Sequence, residues 1–447
     1  MSAKSFKEPR NWAHSSERLL AIEQLLPGGV HYNFRFPWRE PEIIIDRGEG
    51  SRVWDIDQQA YLDMFAAFGA LILGHGDHEY TQAIYENVQR SSFVPHTVLD
   101  EEVTHLLKST IPCCEAVRFG VTGTESVQNA IRIARAATGR ERFVRFLGHY
   151  HGHSDNVLGG RPEDNAYPIP KDFEGDFRGS EGVAKGVREQ QTFLLPWNDP
   201  DALETLVKQN HNEIAAILTE PIALSTGGIF PKPDYLELMR RLCDRYGIIL
   251  IFDEVVSGVR AGLGGAQKRL GVTPDMAVFA KAIGGGALPM AAMVGRRDLL
   301  KLWGNQRVAH GGTFNGYPLG LAAIKHVYHR LSVNDGQLMK DFEARGKQIM
   351  AEIERIAKKC DIPMVVQGIP GCIYYHVTDT KLNAPHEITK DLMRRNLIVR
   401  EKLALYGILT ALPNRFFPSA SFSEDDLQDF GDAFEAALLA AKPLLPG

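Results

Sequence analysis

The feature that most constrains the fold is a series of short apolar segments that alternate with helical stretches between about residues 79 and 325. Such segments suit strands that are buried on both faces, and the stretches between them suit the crossover helices of a parallel sheet. The alternation therefore predicts an α/β fold with a mainly parallel, helix-covered sheet. The five clearest predicted strands are 116–119 (AVRF), 142–146 (RFVRF), 214–219 (IAAILT), 247–252 (GIILIF) and 276–280 (MAVFA).

The chain's 447 residues exceed what one hydrophobic core usually supports, which predicts two domains. We assign residues 76–325 to a large domain that carries the sheet. Residues 1–75 and 326–447 contain short strands and amphipathic helices, and they are predicted to build a smaller α+β domain from both ends of the chain.

Composition excludes several classes of protein. The net charge of −5 does not suit an extended surface for nucleic-acid phosphates. No apolar run approaches the ~20 residues that cross a bilayer, and the N-terminus lacks the pattern of a secretory signal. The five cysteines form no CxxC pair and are interpreted as reduced thiols. These observations predict a cytoplasmic protein with no membrane or nucleic-acid partner.

Ligands of open α/β sheets bind outside the carboxyl ends of the strands. The polar residues that follow the predicted strands are therefore the candidates for chemistry. They are residues 122–125, residues 149–153, Glu220, Asp253 and Lys281.

Lys281 follows an apolar strand and precedes three consecutive glycines, in VFAKAIGGG. Apolar surroundings lower the pKa of an amine, and the neutral amine is the form that attacks an aldehyde to give an imine. A solvated surface lysine is the alternative interpretation.

Asp253 ends the apolar run GIILIFDE, where an unpaired carboxylate would be costly to bury. A protonated pyridine nitrogen would be a suitable partner, because the contact would keep the ring an effective electron sink. The alternative is that Asp253 only caps the helix that follows.

The segment FGVTGTESVQNAIRIARAATG places a glycine-containing turn before a helix. Free N–H groups at such a helix start bind phosphate, and the hydroxyls of Thr122 and Thr124 could assist them. Tyr150, at another strand end, offers a flat face for an aromatic ring. Ordinary capping and packing are the respective alternatives.

Other segments of the sequence suggest two further functions. His149, His151 and His153 alternate in sequence and could ligate a metal from one side of a strand, although no HExxH motif accompanies them. The glycines of GLGGAQ and AIGGGALP suggest a nucleotide-binding module, but they match neither GxGxxG nor GxxxxGK[ST]. Both readings are weaker than the imine-forming lysine, and no metal is expected.

Several segments together resemble the class III pyridoxal-phosphate aminotransferases of fold type I in order and spacing. They are TGTESVQNAIRIARAATGR, FLGHYHGH, LTEPI, IFDEVVSGVR, AKAIGGGALP and HGGTFNGYPLG. The segments LPGGVHYNFR and GALILGHG are similar to the branch that contains glutamate-1-semialdehyde aminomutase and the D-phenylglycine and β-phenylalanine aminotransferases. The resemblance implies a seven-stranded, mainly parallel sheet and pyridoxal 5′-phosphate as cofactor.

The resemblance also implies roles around the cofactor ring. Lys281 would hold the cofactor as a Schiff base, and Asp253 would pair with its pyridine nitrogen. Tyr150 would stack over the ring and Val255 would pack beneath it. Glu220 is implied to support the site and is counted with the cofactor-binding residues.

Further residues are implied for the phosphate and the substrate. Gly123 and Thr124 would hold the phosphate, and Thr313 would reach the phosphate of a neighbouring subunit, which implies a homodimer. Arg35 falls where the branch has an arginine for the substrate carboxylate.

Two departures from the aminomutase pattern favour a ping-pong aminotransferase that acts on an amino donor and a keto or aldehyde acceptor. The aminomutase has a carboxylate in its C-terminal loop, and an ungapped comparison puts Phe417 in its place. The segment between residues 160 and 191 is also longer than the aminomutase gating loop. Intramolecular amino transfer, as in the aminomutase, is the alternative function.

Overall fold

A computed structural model describes residues 6–32, 43–90, 94–159, 182–184, 187–410 and 413–446. Within these ranges the strands form three sheets. The strands are β1 (Ile45–Glu49), β2 (Arg52–Asp55), β3 (Ala60–Met64), β4 (Ala116–Gly120), β5 (Arg142–Phe146), β6 (Thr192–Leu195), β7 (Ile214–Thr219), β8 (Ile249–Glu254), β9 (Met276–Phe279), β10 (Ala291–Gly295), β11 (Val365–Ile369), β12 (Cys372–His376), β13 (Ile408–Thr410) and β14 (Arg415–Phe416).

The largest sheet has seven strands in the order β4-β10-β9-β8-β7-β5-β6. Strands β5 to β9 pair in parallel, and β10 runs antiparallel to both of its neighbours. The prediction of a mainly parallel seven-stranded sheet is therefore confirmed. Strands β7, β8 and β9 are buried along their whole length, which suits the apolar residues that make up most of each strand.

Helices cover the sheet, and several of their ends have recognisable caps. Thr97 and Ser423 form capping boxes with the acidic residue three positions later. The helices are α1 (Ala13–Glu23), α2 (Ala66–Gly69), α3 (His78–Arg90), α4 (Val98–Thr110), α5 (Gly123–Thr138), α6 (Val187–Gln191), α7 (Pro200–Asn210), α8 (Tyr235–Tyr246), α9 (Ser257–Arg260), α10 (Gly265–Leu270), α11 (Arg297–Gly304), α12 (Pro318–Lys359), α13 (Lys390–Leu405) and α14 (Glu424–Ala441).

Strand β8 differs from its predicted bounds of 247–252. Gly247 ends helix α8 in a left-handed conformation with φ 61°, so the strand begins two residues later. At its other end β8 continues through Asp253 and Glu254, which pair with Val278 and Phe279 of β9. Asp253 therefore lies within the sheet rather than in a loop after it, and this fixes its position.

Two smaller sheets involve the ends of the chain. Strands β1, β2 and β3 are extended by β13, which pairs in parallel with β3, and β11, β12 and β14 form the third sheet. Arg52 in β2 forms ion pairs of 2.6 Å and 2.7 Å with Asp426 and Asp429 of α14. This joining of both termini agrees with a smaller domain built from residues 1–75 and 326–447, although those boundaries stay a prediction.

The short element α2 is a left-handed turn. Ala66, Ala67 and Phe68 have φ values of 43°, 51° and 55°, and Gly69 follows at 84°. Asp63 accepts hydrogen bonds from the N–H groups of Phe65 and Ala66 at the start of the turn. At its end, the Arg260 guanidinium donates to the carbonyl oxygens of Gly69 and Leu71. These buried contacts hold a conformation that non-glycine residues adopt at a cost.

We expect Ala67→Gly to stabilise the protein by about 0.5 to 1 kcal/mol. The side chain of Ala67 is exposed, so little packing is lost, while glycine relieves the left-handed strain at this position. The measurement is the free energy of unfolding in urea. Ala351→Gly is the matched control, because Ala351 is an exposed residue in the right-handed helix α12 and its replacement should destabilise by about 1 kcal/mol. Destabilisation by both changes would contradict the proposed strain.

Candidate active site

A cavity of about 380 Å³ opens at the carboxyl ends of the central strands, at the edge of the sheet where the sequence predicts ligand binding. Its volume falls in the usual range for small-molecule sites, roughly 300 to 1,000 Å³. Seven of the nine predicted site residues line it. They are Gly123, Thr124, Tyr150, Glu220, Asp253, Val255 and Lys281.

Lys281 lies two residues after the end of β9 and begins a 3-10 turn, Lys281–Gly284. Its φ of 51° is left-handed, a strained conformation that is common at active sites. Burial lowers the pKa of its amine to about 8, and the nearby Arg415 guanidinium contributes to that shift. Asp253 and Glu220 oppose the shift only partly. A substantial fraction of the amine is therefore neutral near physiological pH, as a nucleophile requires.

Asp253 is 4% exposed and has two fixed hydrogen-bond donors. Its Oδ1 accepts from the N–H of Val255 at 3.0 Å, and its Oδ2 lies 2.7 Å from Nδ1 of His151. Because the residue lies in the β8 ladder and its carboxylate lines the cavity, it can meet a cationic group of a bound ligand. The simple helix-capping interpretation does not account for the contact with His151.

The amino end of α5 forms another wall. Thr122 is its N-cap and accepts from the N–H of Glu125, while Gly123 and Thr124 form the first helical turn. The first N–H groups of a helix have no intrahelical acceptor, so they are available to an anion. A Cβ on Gly123 would lie 3.0 Å from Val255, so glycine allows the helix start to approach the floor of the cavity.

The Glu220 carboxylate is hydrogen-bonded to the backbone of the loop that contains Tyr150. Glu220 accepts from the N–H of Tyr150 through Oε1 and from the N–H of Ser225 through Oε2, both at 2.8 Å. Burial raises the pKa of the Glu220 carboxyl, and the nearby Asp253 raises it further. Glu220 thus fixes the loop that carries Tyr150, whose half-buried side chain faces the cavity.

The three alternating histidines have three different environments. His149 Nδ1 accepts from the N–H of Glu220, His151 contacts Asp253, and His153 lies 3.2 Å from the Thr124 hydroxyl. Burial lowers the pKa of His149 well below its usual value, so this ring is neutral. Within the described ranges no group of three or more His, Cys, Asp or Glu residues could hold a metal ion. The metal-site alternative therefore has no geometric support.

Of the other two predicted site residues, one lies away from this cavity and one falls outside the described residues. Thr313 is exposed, in the segment between α11 and α12, and does not line it. Arg35 lies outside the described residues, as does most of the segment between residues 160 and 191.

Sequence reasoning missed part of the site. His151 was considered only as a metal ligand, although its position next to Tyr150 places it in the same loop as a predicted ring contact. Residues 287–290, which form a wall of the cavity, follow the triple glycine but carry no side chain with distinctive chemistry. Ser225 contributes its backbone N–H to Glu220, and a backbone contact leaves no mark in a sequence.

Taken together, the cavity offers an amine with a lowered pKa, a buried carboxylate, an aromatic side chain and a helix N-terminus. This set fits an aldehyde that also bears a protonated ring nitrogen and a phosphate. Lys281 can react with the aldehyde, Asp253 can pair with the ring nitrogen, and the start of α5 can bind the phosphate. The fold and the site thus define an enzyme of the fold type I pyridoxal-phosphate class.

Comparison with known proteins narrows this class. Residues 37–438 match the family model described as "Aminotransferase class-III". The chain is 42% identical to a glutamate-1-semialdehyde 2,1-aminomutase of Roseiflexus castenholzii over 357 residues, which cover 78% of this chain and 80% of that protein. This protein belongs to the class III aminotransferase family. The resemblance inferred from its motifs is confirmed, and with it the expected type of enzyme and cofactor.

Solved structures agree on the fold. An omega-transaminase from Sphaerobacter thermophilus superposes with a TM-score of 0.86 at 30% identity, covering 96% of this chain and 97% of that one. A β-phenylalanine aminotransferase from Variovorax paradoxus gives a TM-score of 0.82 at 26% identity, with 97% and 95% of the two chains covered. The relatives thus include both an aminomutase and aminotransferases.

Proposed function

We propose that this protein is a pyridoxal-phosphate-dependent aminotransferase that moves an amino group from an amino acid or amine to a keto acid or aldehyde by a ping-pong mechanism. The observation that carries the proposal is the meeting of Lys281, Asp253 and the start of α5 in one cavity. Intramolecular amino transfer of the aminomutase type is the second candidate, because an aminomutase is among the similar proteins.

Lys281 and Asp253 would have different roles in this reaction. The bound cofactor supplies an aldehyde to accept the amino group and a ring that withdraws electrons. Lys281 would hold the cofactor through its amine and, when that amine is free, would move a proton at the substrate carbon. Asp253 would pair with a protonated ring nitrogen through its carboxylate.

The remaining contacts orient the cofactor. Gly123 and Thr124 would bind its phosphate at the start of α5, and Tyr150 and Val255 would pack against its ring. Glu220 fixes the Tyr150 loop. Arg35 is proposed to bind a substrate carboxylate through its planar guanidinium group.

The surroundings of Phe417 favour an aminotransferase over an aminomutase. Phe417 is buried, and its ring centroid lies 5.0 Å from the guanidinium carbons of both Arg260 and Arg415. The Phe417 ring thus lies close to two buried guanidinium groups, and it occupies the position where the aminomutase has its carboxylate in the ungapped comparison. This arrangement provides no acid for intramolecular transfer at that position.

Product analysis separates the two functions. The purified protein is incubated with a panel of amino acids and amines, with and without an added keto acid, and the products are identified by mass spectrometry. An aminotransferase gives a net amino product only when the acceptor is present. Isomerisation of a single substrate without any acceptor would establish the aminomutase function instead. If the protein has no visible absorbance band after incubation with pyridoxal phosphate and removal of the unbound reagent, both functions are excluded.

We expect the rate at which the cofactor-free protein takes up pyridoxal phosphate to rise with pH and to level off above about 8. The pKa of Lys281 is lowered from 10.5 to about 8, so below this value the amine is protonated and cannot attack the aldehyde. The rate should fall about tenfold for each pH unit below the midpoint. It is measured from the growth of visible absorbance. A rate that still climbs between pH 9 and 10 would show that the amine has an ordinary pKa.

The functional form is proposed to be a cytoplasmic homodimer. Thr313 and its neighbour Phe314 are exposed in the single chain, Phe314 by 59%, which suits a segment that reaches a second subunit. No helix within the described ranges is long and apolar enough to cross a bilayer. All five cysteines are free, which suits a reducing compartment.

A further inference from the structure

The contact between His151 and Asp253 is the most deeply buried acid–imidazole pair in the cavity wall. Their side chains are 1% and 4% exposed, and Nδ1 lies 2.7 Å from Oδ2. Both residues line the cavity, and they come from different parts of the sheet, His151 from the loop after β5 and Asp253 from β8. The contact therefore joins two separate walls of the site.

The geometry identifies the proton donor in this pair. An ionised carboxylate only accepts hydrogen bonds, and Oδ1 of Asp253 already accepts from the N–H of Val255. His151 must then donate from Nδ1. Its Nε2 is buried and has no hydrogen-bond partner among the described residues, so a second proton there would be an unsatisfied donor. The arrangement therefore fits a neutral imidazole with its proton on Nδ1.

Other charged groups that face the pair do not take over this role. Glu220 is the other buried carboxylate nearby, and both of its oxygens are occupied by the N–H groups of Tyr150 and Ser225. His149 accepts a backbone hydrogen bond through its own Nδ1, so it cannot donate from that atom.

We propose that His151 is a positioning residue that donates from Nδ1 to Asp253 and keeps this carboxylate directed at the ring nitrogen of the cofactor. This inference rests on the proposed function. Two donors from separate segments, Val255 and His151, fix the carboxylate in one orientation. Its remaining lone pairs are then available to a protonated ring nitrogen in the cavity.

The test compares three variants of the full-length protein loaded with pyridoxal phosphate labelled with ¹⁵N in the ring. In His151→Asn the amide nitrogen can occupy the place of Nδ1, whereas in His151→Gln it reaches the place of Nε2. His151→Leu removes the donor. The readouts are the ¹⁵N chemical shift of the ring nitrogen, the dissociation constant of the cofactor, and kcat and KM for an amino donor.

We expect the Asn variant to retain the protonated ring nitrogen and most of the activity. The Leu and Gln variants should lose ring protonation at neutral pH, and kcat should fall about 10- to 100-fold with little change in KM, as is usual when an orienting partner is removed. The Asn and Gln variants both keep a polar amide. If the Leu variant does not fold, the comparison of these two variants still shows whether donation from the Nδ1 position is needed.

Two outcomes would overturn the inference separately from the proposed function. A ring nitrogen that stays fully protonated in the Leu or Gln variant would show that Asp253 does not need His151. Equal losses in the Asn and Gln variants would show that His151 acts by its shape and not by donation from Nδ1. If the wild-type protein takes up no pyridoxal phosphate at all, the proposed function fails before the variants are compared.

Discussion

Lys281→Ala is expected to reduce amino transfer by on the order of 10⁴-fold or more, because it removes the covalent anchor and the proton carrier together. Lys281 is the only lysine among the described residues that line the cavity, so no neighbouring amine there can substitute for it. The measurement is the rate of the first half-reaction, from donor to keto product, in a single turnover. Alanine tolerates this backbone conformation no worse than lysine, so the fold should be retained.

Lys301→Ala is the matched control for this change. Lys301 is exposed on α11 and does not line the cavity, so its removal should leave the rate unchanged. An undiminished rate in Lys281→Ala would mean that another group anchors the cofactor and moves the proton. It would also remove the main support for the proposed function.

Asp253→Asn has the second largest expected effect, a fall in kcat of roughly 10² to 10⁴-fold with the cofactor still bound. The amide keeps an oxygen that can accept from Val255, and its NH2 group can donate to Nδ1 of His151 once the imidazole proton moves to Nε2, so the local fold can be retained. It lacks the negative charge that holds a proton on the ring nitrogen, and a neutral ring withdraws electrons poorly. Proton removal from the substrate should therefore become the slow step, which a kinetic isotope effect on the α-deuterated donor would reveal.

Asp298→Asn is the matched control for Asp253→Asn. Asp298 is exposed and paired with Arg296 near the opposite ends of the strands, so its loss should affect turnover little. If Asp253→Asn also had a normal kcat, the role of Asp253 would be limited to its structural contacts with Val255 and His151.

The sequence was most informative where chemistry and buried structure coincide. The bounds predicted for β5 and β7 match those in the structure, and the polar residues after the strands predicted where the cavity would open. Lys281 and Asp253 were identifiable because a charged group at the end of an apolar run has few structural explanations. The motifs then indicated the family, which the family model confirmed.

Other features could not be read from single residues. The left-handed turn at residues 66–69 has an ordinary sequence, AAFG, and depends on contacts from Asp63 and Arg260, which lie far apart in the chain. The pairing of His151 with Asp253 depends on the order of strands in the sheet, which places the loop after β5 beside the end of β8. Tertiary contacts, not local patterns, determine both features.

The joining of the two termini has a consequence for how this protein is made. The Arg52 side chain binds Asp426, 374 residues later, and β3 receives its neighbour β13 only when the ribosome has almost finished the chain. Until then β3 has an unpaired edge that can associate with other chains, so the growing polypeptide is prone to aggregate. A stop codon that removed only the last fifty residues would leave β1 to β3 without β13 and would yield insoluble protein even though every residue lining the cavity had been synthesised.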